Sequence, residues 1–81
     1  MKEVFNVYPN PVQDIVNVDL SCYDTGEYTI RIFDMNGKLW LNESSVAAQI
    51  FLDISGLSDG NYIVSVLNSG KFIGSKVLVK N

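Results

Sequence analysis

The chain has 81 residues, 47% of them hydrophobic, with six basic and nine acidic side chains and a net charge of −3. That length bounds one small domain, and the apolar fraction, with a mean hydropathy of +0.14, excludes a disordered chain. The acidic balance argues against a nucleic-acid binder, and no apolar run approaches the ~20 residues of a membrane-spanning helix.

Taken in chain order, the dominant pattern has period two rather than 3.6. The opening "MKEVFNVY" lacks the apolar stretch and cleavage site of a signal peptide, and its "EVFNVY" reads as a short first strand. The only two prolines follow, in "YPNPV". Proline fixes φ and donates no backbone hydrogen bond, so Pro9-Asn10-Pro11 cannot lie within a central ladder. It reads as a stiff corner that ends one strand, blunts an edge and sets the register of the next. Asn10 supplies a side-chain amide to tie that corner to neighbouring backbone.

Beyond the corner, "DIVNVDL" sets Val16, Val18 and Leu20 on one face and Asn17 and Asp19 on the other. "DTG" at Asp24–Gly26 reads as a turn. "EYTIRIFD" places Tyr28, Ile30 and Ile32 together, and "KLWLNE" is a shorter, less regular strand. Asn36-Gly37 between them is a strong hairpin signal, predicting a type I′ turn. "NESSVAAQI" reads as a crossover between sheets. "QIFLDI" aligns Ile50, Leu52 and Ile54, and "NYIVSVLN" aligns Tyr62, Val64 and Val66. "NSGK" predicts a second hairpin. "SKVLVK" then predicts Val77 and Val79 facing inward, with Lys76, Leu78 and Lys80 opposite. About seven such strands predict an all-β, immunoglobulin-like antiparallel β-sandwich, one domain over residues 1–81. Leu57, the Asp59-Gly60 turn and Tyr62 carry the pattern of a tyrosine corner.

Little in the chain points to catalysis. No histidine is present to activate a nucleophile. Cys22, the only cysteine, follows the alternating strand and reads as a buried or half-buried small apolar residue, with no partner for an internal disulfide. The acidic residues fall in turns and on solvent-facing positions. Asp34-Met35-Asn36-Gly37 resembles the start of a calcium loop, but the later ligands are absent at the required spacing and a hairpin accounts for the same residues. Trp40, Phe51 and Phe72 form a candidate aromatic platform for sugar or nucleic acid, for which packing is the simpler explanation. The expectation is a non-enzyme with no cofactor, no metal and no nucleic-acid partner.

Three segments in order, "YPNPVQDIVNVDL", "IRIFDMNGKLW" and "LDISGLSDGNYIVSVLNSGKFIGSKVLVK", together resemble the C-terminal sorting domain of the Bacteroidetes type IX secretion system. The resemblance rests on Pro9, Asn10 and Pro11, on Asp34, Gly37 and Lys38, on Leu57, Gly60 and Tyr62, and on Lys76 and Lys80 of the last strand. The family ends in such a lysine-bearing strand, whereas here Asn81 follows Lys80. The resemblance implies a sorting signal that directs an attached N-terminal cargo through the periplasm and across the outer membrane, with the product secreted or held at the cell surface. It implies as partners the translocon or shuttle of that system and its sortase-like protease, which cuts on the N-terminal side of the sandwich. Met1 directly ahead of a strand pattern points to a start within a longer cargo protein. The terminal strand is a further candidate for strand addition to a partner, and an edge strand for homodimer formation. The alternative function is an accessory carbohydrate-binding or spacer module of a secreted enzyme.

Overall fold

The computed structural model of the chain describes residues 5–20 and 26–81. Within them lie seven strands, β1 (Asn6–Tyr8), β2 (Ile15–Asp19), β3 (Tyr28–Asp34), β4 (Leu39–Ser45), β5 (Gln49–Asp53), β6 (Gly60–Asn68) and β7 (Lys71–Lys80), and no helix. The strands form two antiparallel sheets, β1-β2-β5 and β4-β3-β6-β7, packed together as a sandwich. Strands β2, β3, β5 and β6 each bury one apolar face, and stacking the two sheets hides those faces together. Residues 46–48 cross from β4 of one sheet to β5 of the other, so the expected crossover is present, with β4 running on to Ser45. The expectations for Met1, Cys22 and the Asp24-Thr25 half of the "DTG" turn lie outside the described residues.

The core follows the alternation through β6. Val16, Val18, Leu20, Tyr28, Ile30, Ile32, Ile50, Leu52, Ile54, Tyr62, Val64 and Val66 are all buried, joined by Phe5 and Val12. Asn17 lies on the outer face yet is only 8% exposed. It sits on the middle strand of its sheet, flanked across the ladder by Tyr8 and Phe51.

Strand β7 overturns one expectation. Leu78 is fully buried and Lys80 only 7% exposed, whereas Val77 is 53% exposed. The register supplies the reason. Asn68 pairs with Lys71 and Leu67 with Phe72, but Val66 pairs with Gly74, so Ile73 is an extra residue on β7. Without that bulge the hairpin register would set Val77 opposite Tyr62, facing inward as the alternation predicts. One inserted residue flips every later side chain to the other face, so Lys76, Leu78 and Lys80 point inward. Gly74, a glycine inside a strand, was the available sign of a bulge.

The hairpins also exchange roles. Gly37 has φ +86°, but Ser69, at +51°, is the only non-glycine with positive φ among the described residues, so Asn36-Gly37 is not a type I′ turn. Gly37 N–H donates to the Asp34 carbonyl and Asp34 N–H to the Lys38 carbonyl, both at 3.0 Å. This is the pattern of a three-residue loop closed by a left-handed glycine. The type I′ signature appears instead at Ser69-Gly70, where φ is +51° and +84° between paired Asn68 and Lys71. Serine fits that conformation poorly, and asparagine tolerates it. Ser69→Asn is therefore expected to stabilise the domain by about 0.5–1 kcal/mol in urea unfolding, by relieving left-handed strain. An unchanged or lower midpoint would contradict the turn assignment.

Candidate functional site

The Asp34 hairpin is organised by one carboxylate. Asp34 Oδ1 accepts the backbone N–H groups of Asn36 at 2.9 Å and Lys38 at 3.0 Å. Its Oδ2 accepts the indole N–H of Trp40 at 3.0 Å. The indole bond, followed by the Lys38 backbone N–H, holds the Asp34 carboxyl below its ordinary pKa, because both favour the charged form. Ile32 pairs with Leu41 and Phe33 with Leu39, so Trp40 is a bulged residue. The Lys38 ammonium lies 4.2 Å from the centroid of its ring. The carboxylate that resembles a calcium ligand thus serves as a turn clasp, with both oxygens already accepting hydrogen bonds.

The corner before β6 is built as its sequence predicts. The Tyr62 hydroxyl donates to the Ser58 carbonyl at 2.6 Å, closing a tyrosine corner over a ring that is 5% exposed. Leu57 N–H donates to the Ile54 carbonyl at 3.0 Å, and its side chain packs against the core. Gly60, at φ +149°, adopts a backbone conformation that L side chains rarely take.

The proline corner reaches furthest along the chain. Asn10 Nδ2 donates to the Val77 carbonyl at 3.0 Å, and Asn10 Oδ1 accepts the Val79 N–H at 2.9 Å. Val12 continues the same ladder: its N–H donates to the Val79 carbonyl at 2.8 Å and its carbonyl accepts the Asn81 N–H at 2.9 Å. The Asn10 amide therefore stands in for a peptide group of a parallel strand, one step before the true parallel bridge between Val12 and Lys80. Both the Tyr8–Pro9 and Asn10–Pro11 bonds are cis. The corner does blunt an edge, and the edge is that of β7. From the Val77 carbonyl to the Asn81 N–H, the groups that a partner strand would take are already paired.

Asp34 pairs with Tyr62 across β3 and β6, Tyr62 with Leu78 across β6 and β7, and Gly60 with Lys80. The Lys80 ammonium lies 3.8 Å from Asp59 Oδ1, beside the tyrosine corner. Pro9, Asn10, Pro11, Asp34, Gly37, Lys38, Leu57, Gly60, Tyr62 and Lys80 thus gather at one end of the four-stranded sheet, although they are scattered from position 9 to position 80. Lys76 does not join them. It pairs with Val64 further along β7 and holds its ammonium 5.6 Å from the centroid of the Phe5 ring. The predicted outward pair of Lys76 and Lys80 is replaced by two inward-facing lysines about 14 Å apart along the strand, at ~3.4 Å per residue. Asp59, Val12 and Trp40 complete this end; the sequence marks Asp59 only as a turn residue and Trp40 only as part of an aromatic platform, and joins neither to the motifs here. Trp40, Phe51 and Phe72 lie on three different strands, β5 belonging to the other sheet, and form no shared platform.

A family model described as the secretion system C-terminal sorting domain matches residues 6–80, from the first residue of β1 to the last of β7. Comparison with curated proteins finds no match. With nearly its whole length accounted for, the chain belongs to the family of type IX secretion system C-terminal sorting domains.

Proposed function

We propose that this domain is a non-catalytic address label. It directs an attached N-terminal cargo through the type IX system across the outer membrane, and is processed at the cell surface by that system's sortase-like protease. The element read is the motif-bearing end of the sandwich, presented as one rigid surface. The observation that carries this reading is the Asn10 amide bonded to the backbone of β7 at both Val77 and Val79. A terminal strand frays unless it is tied down. Here the tie comes from the proline corner, so two motifs nearly a chain length apart specify one object. Lys80 positions this end through Asp59 rather than offering a free cation.

The test is export of a fluorescent reporter carrying a leader peptide and these residues at its C-terminus, expressed in a bacterium with a type IX system. The intact fusion is expected in the medium or on the cell surface, and the fusion lacking Val77 to Asn81 in the periplasm. Equal export of the truncated fusion would overturn the reading.

A further inference from the structure

The outer face of the four-stranded sheet is divided into rows. The row at the motif-bearing end is apolar on all four strands: Leu39, Phe33, Ile63 and Val77 are successive cross-strand partners. Leu39 is 46% and Val77 53% exposed, and Phe33 and Ile63 are half-buried. The next row inward, Asn42, Arg31, Ser65 and Ser75, is polar throughout. An outer face of an antiparallel sheet is ordinarily polar, and a continuous apolar row on it marks a contact surface. The bulge at Ile73 is what turns Val77 outward to complete the row.

Charge selects the occupant. Within the four strands this face carries no acidic residue, although acids outnumber bases in the chain. Its one cation is Arg31, whose Nε donates to Asn42 Oδ1 at 3.4 Å, beside the apolar row. A second copy packed by this same face about a two-fold axis would offer Arg31 no carboxylate from its four strands.

We infer that the row Leu39–Phe33–Ile63–Val77, with Arg31 beside it, docks a component of the export apparatus through an apolar surface bearing a carboxylate opposite Arg31. This inference rests on the sorting function proposed above.

The experiment uses the same reporter fusion. The double variant Leu39→Ser/Val77→Ser and the variant Arg31→Glu are expected to lower export by about tenfold while the purified domain unfolds as a monomer at a midpoint close to the parent's. Arg31→Lys is expected to retain most export. Phe72→Ser removes a still more exposed apolar side chain from the far end of β7 and is expected to export normally. Undiminished export of the double variant, or an equal loss with Phe72→Ser, would overturn the inference while leaving the sorting function standing. A parent domain that dimerises, with Leu39→Ser/Val77→Ser dispersing the dimer, would assign the face to a second copy and overturn it as well. Failure of the unaltered fusion to be exported would instead remove the sorting function on which the inference depends.

Discussion

Leu78→Ala is expected to destabilise the domain by about 2–4 kcal/mol, and Val77→Ala by less than about 0.5 kcal/mol. The two residues are neighbours of similar chemistry on one strand, so the contrast isolates the direction in which β7 faces. Leu78 is fully buried opposite Tyr62, and truncating it removes apolar contacts and opens a cavity that packed neighbours fill only in part. Val77 is more than half exposed and leaves no void. Chemical denaturation of the two purified variants measures the difference. In a domain of this size the larger loss consumes a good part of a total near 5 kcal/mol, so Leu78→Ala is expected to be partly unfolded at 37 °C. The reverse ranking, with Val77→Ala the costlier change, would show that the Ile73 bulge is absent and that the simple alternation governs the tail.

Asn10→Asp is the second large effect. The amide satisfies one acceptor and one donor of β7 at once, and the carboxylate keeps only the acceptor role toward Val79 N–H. It loses the bond to the Val77 carbonyl and sets a negative charge against that oxygen. The expected loss is about 1–2 kcal/mol, from one broken hydrogen bond plus repulsion at an exposed site. The more specific readout is amide exchange. The N–H groups of Val79 and Asn81 face the proline corner, and both are expected to exchange faster in the variant. The N–H groups in the middle of β6, paired on both sides, keep the protection set by global unfolding. If Val79 and Asn81 exchanged as slowly as in the parent, the amide would not be what holds the tail. Pairing this measurement with reporter export separates a tail that is loosened from a domain that is unfolded.

Much of this was legible in the residues. Strands appear wherever apolar side chains alternate, since a half-buried strand needs nothing more local than that. Tyr62 with Leu57 and Gly60 announced its corner because the whole motif fits within six positions, and the Asp34-to-Lys38 turn was recognisable for the same reason. The turn types were not: Asp34 captures the Asn36 and Lys38 N–H groups and so draws its hairpin away from the geometry that Asn36-Gly37 favours alone.

Residue pattern was enough to specify two stacked antiparallel sheets, the two hairpins and the Tyr62 corner, and membership of a family recognised by motif order. The tertiary structure alone decided which way the last strand faces and what the motifs do together. "SKVLVK" has apolar residues on both alternating faces, so its phase depends on one extra residue in the pairing with β6, a long-range quantity that local periodicity does not contain. The bonds from Asn10 to Val77 and Val79 likewise join positions 67 and 69 residues apart, and only the closing of the sandwich brings the proline corner to the edge it seals.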